Sequence, residues 1–313
     1  MTLVSGAEWV KIRFFGTRTR LRSTISIIVN PIAGGAGNGA LLNRLVAQLG
    51  KLGHRTEVRI TGSRGDARRF AAEASRETLL VAAMGGDGTV NEVVDGLVGR
   101  DIPLLVVPCG TENLLAKYLR IPRDVDFLAA AAHRPRFRRF DIATANGRRF
   151  VCVSGVGFDA EVLRWLEARR RGHIEHLDYF WPLWRTFWGW RFPTIRVEVD
   201  DKEFFRGRGL AFVGNTNRYA IGLKITRDAI PDDGLLDVCI YECASHTRLL
   251  LHSVVTLAAR HVGRPGVVYG RGKRVRISSD AEQWVEVDGE RVFKAPVEYG
   301  IIPQGIRLVA GPA

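Results

Sequence analysis

The sequence predicts a two-domain protein, with an α/β first domain built on a mostly parallel sheet and a mainly β second domain, a sandwich. In the first half, short apolar runs alternate strictly with segments of helical spacing, which is typical of a sheet covered by helices. In the second half, short apolar or alternating runs are separated by turn residues, which favours a sandwich. A length of 313 residues fits two domains, and 46% apolar residues can fill their cores.

Residues 1–23 are basic and lack clear periodicity, so we predict an N-terminal arm there. Residues 24–141 are predicted to form the α/β domain. Strands are predicted at Ile25–Val29, Thr56–Ile60, Leu79–Ala83 and Leu104–Val107. Helices are predicted around Leu41–Leu49 and at Asp66–Ser75, Val90–Leu97 and Asn113–Leu119. Ligands of such sheets bind at the carboxyl ends of the strands.

Residues 142–313 are predicted to form the β domain, whose last strands could return to the first domain. Its strands are predicted at Phe150–Val153, Ile195–Val199, Leu210–Val213, Leu236–Tyr241, Val275–Ile277, Val285–Val287, Val297–Ile301 and Ile306–Val309. Helices are predicted around Ala160–Arg170 and His246–Arg260.

The chain is strongly basic, with a net charge of +13 and 39 arginines against 7 lysines. Arginine suits phosphate oxygens, so anionic lipids, nucleotides and nucleic acids are all admissible partners on charge alone. The four cysteines show no metal-ligand or redox spacing, and no signal peptide is recognisable, so we expect reduced cysteines and a cytoplasmic location. No apolar run reaches the ~18–20 residues of a membrane span, so any membrane contact is expected to be peripheral.

The segment from Met84 to Glu92 is the most informative part of the chain. Gly85, Gly86 and Gly88 lie between a predicted strand and a predicted helix, where backbone N–H groups and the helix dipole favour a phosphate group. Asp87 would repel a phosphate unless a divalent cation stood between them. The loop therefore predicts a nucleotide together with a metal ion.

Gly88-Thr89 in this loop is one Gly-Thr pair, and a second, Gly110-Thr111, follows the next predicted strand. Each pair is followed by an asparagine two residues later. Thr111 alone could simply cap a helix. Two such pairs on neighbouring strand ends predict two walls of one phosphate site. No Walker A sequence is present, which excludes a P-loop enzyme.

These residues resemble the catalytic domain of diacylglycerol kinases, a superfamily that includes soluble bacterial lipid kinases and sphingosine kinases. The resemblance covers residues 25 to about 305 and rests on seven motifs in order: Asn30-Pro31; Gly85–Thr89 with Asn91-Glu92; Pro108-x-Gly110-Thr111-x-Asn113; Gly155–Ala160; Gly214-Asn215; Asp228–Asp237; and Asp288-Gly289-Glu290.

The resemblance implies ATP bound in a cleft between the two domains, with Mg²⁺, and transfer of its γ-phosphoryl group to the hydroxyl of diacylglycerol or a sphingoid-like lipid. The implied nucleotide-binding residues are Asn30, Gly34, Thr61, Gly85, Gly86, Asp87, Gly88, Thr89, Asn91 and Thr111. Asp87 would hold the phosphates through Mg²⁺ or its waters, and Glu290 would accept the hydroxyl proton. A metal ion is implied at Asp233, with the carbonyls of Ile230 and Leu235 as further ligands.

Two positions depart from the family pattern. The bacterial diacylglycerol kinases usually carry aspartate where this chain has Leu114, although sphingosine-type relatives carry an apolar residue there. Ala33 stands where the family commonly has serine. Two alternatives therefore stay open. One is an NAD kinase of the same superfamily, which shares the Gly-Gly-Asp-Gly-Thr loop. The other is a non-catalytic relative that binds lipid or nucleic acid.

Tyr179–Trp190 holds four of the seven tryptophans. Trp and Tyr favour the membrane–water interface, and Arg169–Arg171 could meet anionic head groups. A helix packed over the sandwich is the alternative reading. As partners we expect a lipid at a membrane surface, peripheral contact with anionic lipid and no nucleic acid, and we allow a homodimer.

Overall fold

The computed structural model describes residues 23–34, 37–169 and 180–311, with the side chains of 167–169 and 221 outside this description. Two predictions therefore fall outside the described residues: the basic arm, over residues 1–22, and the contacts of the Arg169–Arg171 side chains with lipid head groups.

The first domain alternates strands and helices as the hydrophobic pattern predicts. Its elements are β1 (Thr24–Val29), α1 (Asn38–Lys51), β2 (Arg55–Ile60), α2 (Asp66–Ala72), β3 (Thr78–Gly85), α3 (Asp87–Leu97), β4 (Leu104–Pro108), α4 (Leu114–Leu119) and α5 (Val125–His133).

The remainder is mainly β. Its elements are β5 (Phe137–Ala145), β6 (Arg148–Phe150), β7 (Val153–Val156), α6 (Phe158–Arg169), α7 (Phe180–Gly189), β8 (Thr194–Val199), β9 (Lys202–Gly214), β10 (Leu236–Glu242), α8 (His246–Leu257), β11 (Val267–Gly272), β12 (Val275–Ser279), β13 (Trp284–Val287), β14 (Glu290–Lys294) and β15 (Val297–Val309).

The first-domain sheet has the strand order β2-β1-β3-β4-β15. Strands β1 to β4 are parallel, with Ile27 opposite Val58 on one side and Ala82 on the other. The end of β15 lies parallel to β4, with Leu308 opposite Leu104, and antiparallel to β5. The last strand of the chain thus completes the sheet of the first domain.

The second domain is a sandwich in which β9 belongs to two sheets. Its first half pairs with β8, which continues to β12 and the start of β15. Its second half pairs with β10 on one side and with β7 on the other, and β7 continues to β13 and β14. Buried residues of both sheets pack in one core, such as Val197, Ile277, Val213 and Val285. The predicted fold class is confirmed.

The core of the first domain lies between its sheet and the covering helices. Ile25, Ile27 and Ile28 are fully buried, because a parallel sheet covered on both faces has no solvated side. Leu45 and Leu49 of α1 are buried with them. This rigid core leaves the loops at the strand ends as the places where a ligand can bind. Among the described residues, no helix has the length and apolar character needed to span a bilayer.

Candidate active site

The loops after β1 and β3 are joined at the carboxyl ends of their strands. Asn30 donates its side-chain amide to the Thr89 hydroxyl at 3.0 Å and its backbone N–H to the Met84 carbonyl at 2.9 Å. Its side-chain oxygen accepts the N–H of Ile32 at 3.1 Å, which fixes the turn that follows. The Asn-Pro pair thus orders the loop and ties it to α3.

The glycines of these loops allow backbone to pack directly on backbone. A Cβ on Gly110 would lie 2.6 Å from the Gly86 Cα, and a Cβ on Gly34 would lie 1.7 Å from the Cys109 carbonyl oxygen. Gly34 also has a φ of +68°, which favours glycine. The structure therefore brings the third and fourth loops of the sheet together, as the two Gly-Thr pairs predict, and packs the first loop against the fourth.

Asp87, the first residue of α3, binds the start of α4. Its two oxygens accept the backbone N–H groups of Asn113 at 2.9 Å and Leu114 at 2.7 Å. Burial raises the pKa of Asp87, and the two N–H donors counteract part of that rise. The Asp87 carboxylate thus joins the two Gly-Thr loops, and each oxygen retains a second lone pair for a further contact.

Glu290, from the second domain, faces the glycine loop of the first. Its Oε1 lies 3.8 Å from the position that a Cβ on Gly88 would take. Its Oε2 accepts hydrogen bonds from Nη2 of Arg64 and Nη2 of Arg148, each at 2.5 Å. The Glu290 side chain is 36% exposed, so a ligand can reach it.

The β13–β14 hairpin presents Glu290 through a turn that two carboxyl groups hold. The Asp288 carboxylate accepts the N–H groups of Val151, Cys152 and Val153 at 2.8 to 3.1 Å. Burial raises the pKa of Asp288 to about 6. Glu286 accepts the N–H of Gly289 at 2.8 Å. The Asp-Gly turn predicted here is therefore also the support of Glu290.

Sequence reasoning did not assign Glu286, which is fully buried behind this turn, or Asp159 beside it. The Tyr219 hydroxyl donates to Asp159 at 3.0 Å. Burial, and next the charge of Asp159, raises the pKa of Glu286 well above its usual range. The alternation in Trp284–Val287 could have indicated that Glu286 and Trp284 share a face.

Arg64 and Arg148 were also missed. They lie 226 and 142 residues from Glu290 in sequence, and both are surface arginines in a chain that has 39. No sequence pattern distinguishes them from the others.

The turn around Asp233, where a metal ion is predicted, precedes β10 and packs against β5 and β11. Asp233 Oδ1 accepts the N–H of Leu235 at 3.0 Å, and its Oδ2 lies 3.7 Å from an Arg271 nitrogen. The N–H of Gly234 donates to Asp141 at 2.7 Å. An oxygen-only set of one carboxylate and two carbonyls, including that of Ile230, fits a hard divalent cation. Within the described chain, however, no three His, Cys, Asp or Glu side chains cluster to hold a metal.

The other predicted nucleotide residues lie on or beside the same loops. Thr61 follows β2 and donates its N–H to the Val29 carbonyl at 2.9 Å, so it is adjacent to Asn30. Asn91 is on the first turns of α3, and Thr111 directly follows Gly110. A Cβ on Gly85 would lie 2.5 Å from the Thr89 hydroxyl oxygen, so Gly85 and Thr89 are in close contact.

Two family matches cover most of the chain. Residues 24–145 match the diacylglycerol kinase catalytic domain. Residues 152–310 match the YegS C-terminal NAD kinase beta sandwich-like domain.

Full-length relatives agree with these matches. The chain is 31% identical over 296 residues to a diacylglycerol kinase of Staphylococcus epidermidis, covering 92% of each. It is 30% identical over 289 residues to a diacylglycerol kinase of Bacillus subtilis, covering 90% of this chain and 95% of the relative. A crystal structure of a diacylglycerol kinase from Bacillus anthracis shares the fold, with a TM-score of 0.69 and 20% identity over 94% of this chain and 99% of the other. The chain therefore belongs to the diacylglycerol kinase family of lipid kinases.

Proposed function

We propose that this protein uses ATP and Mg²⁺ to transfer the γ-phosphoryl group to the hydroxyl of diacylglycerol or a sphingoid-like lipid. The observation that supports this most directly is that Glu290 of the second domain lies beside Gly88 of the glycine loop. A proton acceptor and a phosphate-binding loop thus face each other across the two domains.

In this proposal, the loops after β1, β3 and β4 bind the phosphates through their backbone N–H groups. Glu290 accepts the hydroxyl proton as the lipid oxygen attacks phosphorus. Asp87 joins the two Gly-Thr loops and would hold the phosphates through Mg²⁺ or its waters. Bound with the phosphates, Mg²⁺ would neutralise charge that develops during transfer. A second cation at Asp233 would stabilise its turn.

The test is an assay with γ-labelled ATP against a panel of diacylglycerol, sphingoid lipids and NAD. Label in a lipid supports the proposal, and label in NAD supports an NAD kinase instead. Absence of turnover on every acceptor supports a non-catalytic relative. Glu290→Gln should lower turnover on the preferred lipid about 100-fold or more. Glu298→Gln, which changes an exposed glutamate of β15, is the matched control and should retain activity.

We also propose that the enzyme works at the cytoplasmic face of a membrane and docks through α7 and α8. Both helices turn apolar side chains outward. The exposed apolar residues, between 43% and 70% accessible, are Phe180, Trp181, Leu183, Trp184, Trp188, Leu250, Leu251, Val254 and Leu257. The buried positions instead include Thr186 in α7 and His252 and Thr256 in α8.

The two outward faces form one surface, because His246 of α8 packs on Phe187 and Trp188 with ring centroids 5.2 and 5.6 Å apart. Neither helix contains an acidic residue, and each carries an exposed arginine, Arg185 or Arg248. A surface that is rich in tryptophan, leucine and arginine and has no acidic residues is typical of proteins that bind the interface of an anionic bilayer.

Vesicle flotation would test this docking surface. The wild type should float with anionic vesicles, and the double variant Trp184→Ala/Trp188→Ala and the variant Leu251→Ser should each bind at least 10-fold more weakly. Phe137→Ala, which removes an exposed ring from β5, should bind as the wild type does. Unchanged flotation of the surface variants would contradict membrane docking. If the same variants instead split a dimer in sedimentation, the surface binds a second copy.

A further inference from the structure

Two guanidinium groups converge on the proposed proton acceptor. Arg64 comes from the loop between β2 and α2, and Arg148 begins β6; we call them the arginine pair. Both donate to Glu290 Oε2 at 2.5 Å, while Oε1 faces Gly88. Two positive charges and one negative charge leave a net positive charge at the edge of the glycine loop.

The loop that carries Arg64 is fixed on both sides. Asp66 accepts the N–H groups of Gly62 and Ser63, both at 2.9 Å. Glu92 of α3 accepts the N–H of Gly65 at 2.9 Å and that of Ala67 at 3.2 Å. The backbone at Arg64 is therefore held in place, although its side chain is 73% exposed.

Arg148 is placed by the same helix. Its neighbour Arg149 binds the Asp95 carboxylate at 2.8 Å and the Asp95 carbonyl at 3.0 Å. Asp95 and Glu92 both belong to α3, which begins at the glycine loop. A single rigid element therefore sets the distance of both arginines from the phosphate-binding loop, while their exposed head groups can still shift between partners.

The geometry points to a further role for the arginine pair, which we propose binds the γ-phosphoryl group of ATP and thereby frees Glu290 Oε2 to accept the proton. This inference rests on the proposed function. Phosphoryl transfer depends on neutralising charge on the equatorial oxygens, and guanidinium groups match those oxygens with parallel N–H donors. Without ATP, both donors occupy Oε2, so that oxygen is not available for a proton.

In the step itself, the lipid oxygen forms a bond to the γ-phosphorus, and the bond from that phosphorus to the β,γ-bridging oxygen breaks. ADP leaves with the electron pair. The hydroxyl proton moves to Oε2 of Glu290 and then to water. The arginine pair stays on the transferred group until the phosphorylated lipid departs, and returns to Glu290 afterwards.

The variants Arg64→Gln and Arg148→Gln test this role, with Arg276→Gln, which changes an exposed arginine of β12, as the control. Calorimetry would compare binding of ATP with binding of ADP, which lacks the γ-phosphate. Each test variant should bind ATP about 10-fold more weakly and ADP as the wild type does, and should lower kcat about 100-fold. Arg64→Lys should recover part of the ATP binding, and Arg276→Gln should change the binding of neither ligand.

Equal weakening of ATP and ADP binding in the test variants would mean that the pair only supports the loop, and would overturn the inference. ATP binding and kcat equal to those of the control Arg276→Gln would overturn it as well. The binding comparison does not depend on the lipid. A wild type that binds ATP through the pair yet phosphorylates no lipid would contradict the proposed function and leave this inference standing.

Discussion

The contact between Asp87 and α4 makes a prediction about stability that is separate from catalysis. Asp87→Ala removes two hydrogen bonds, of 2.9 and 2.7 Å, from a carboxylate to the N–H groups of Asn113 and Leu114. A hydrogen bond to a charged group contributes about 1.5–3 kcal/mol to stability. We take the lower figure because the Asp87 side chain is only partly buried. The free energy of unfolding should therefore fall by about 3 kcal/mol.

Thermal unfolding followed by circular dichroism measures this loss. For a chain of 313 residues, about 3 kcal/mol corresponds to a Tm lower by about 5 °C. Asp87→Asn keeps one acceptor oxygen and should lose about half as much. Asp95→Ala is the matched control on the same helix, because it removes exposed ion pairs with Arg149 and Arg68 that contribute less than about 1 kcal/mol.

Equal Tm values for Asp87→Ala and Asp95→Ala would refute this reasoning, since Asp87 would then not bind the start of α4. The Asp87→Asn variant separates the two roles of the residue. If it is inactive while mostly folded, the charge acts on the phosphates as well. If it retains wild-type turnover, Asp87 serves only to join the loops.

Two further predictions concern the loops and the hairpin. Gly110→Ala places a methyl group 2.6 Å from the Gly86 Cα, so it should lower the free energy of unfolding by about 1–3 kcal/mol. It should also abolish ATP binding, as measured by calorimetry. Gly39→Ala, whose methyl group would meet no atom within 4 Å, is the control. Burial raises the pKa of Asp288 from 3.8 to about 6, so the folded state binds the proton more tightly than the unfolded state does. The contribution of Asp288 to the free energy of unfolding therefore falls as the pH rises from about 4 to about 6. The difference in unfolding free energy between wild type and Asp288→Asn should therefore shrink by up to about 3 kcal/mol across that range in urea titrations, whereas a constant difference would show that Asp288 does not titrate there.

The hydrophobic pattern was sufficient for the main elements because these are buried. The four predicted parallel strands agree with β1 to β4 within two residues at each end. The start of α3 was missed: it was predicted at Val90, yet the helix begins at Asp87, since the polar residues Asp87 and Thr89 form its first turn.

Helix α5 and strand β5 are among the elements that the sequence analysis did not predict, and only α5 had a clear local signal. Helix α5 follows Asp124, whose side chain accepts the N–H of Phe127 at 2.8 Å as an N-cap, and it contains an alanine run. Strand β5 contains Arg138 and Arg139, which look unlike a strand that lies within a sheet. Arg138 covers the Phe140 ring at 5.4 Å and pairs with Asp232, so its charge remains at the surface.

The site could be predicted where it is local and not where it joins distant segments. Each glycine loop is encoded in a few consecutive residues, and its backbone requirements are visible as glycines. The pairing of Glu290 with Arg64 and Arg148, and of Asp87 with the start of α4, depends on how helices and strands meet. A side chain such as Glu92 gave no sign that it would hold the Arg64 loop.

The position of Leu114 illustrates how a departure from a family pattern can leave a contact unchanged. Its backbone N–H donates to Asp87, while its side chain is 8% exposed and packs in the core. Any residue except proline supplies that donor, so a leucine keeps the link between the two Gly-Thr loops. What changes is the charge: the site has one carboxylate fewer than it would with aspartate at position 114. If a nucleotide binds there as we propose, its phosphates would meet less negative charge from the protein, and Arg64 and Arg148, which bind Glu290 beside Gly88, would supply positive charge. The protein's arginines would therefore carry a larger share of phosphate neutralisation here than in relatives that carry the aspartate.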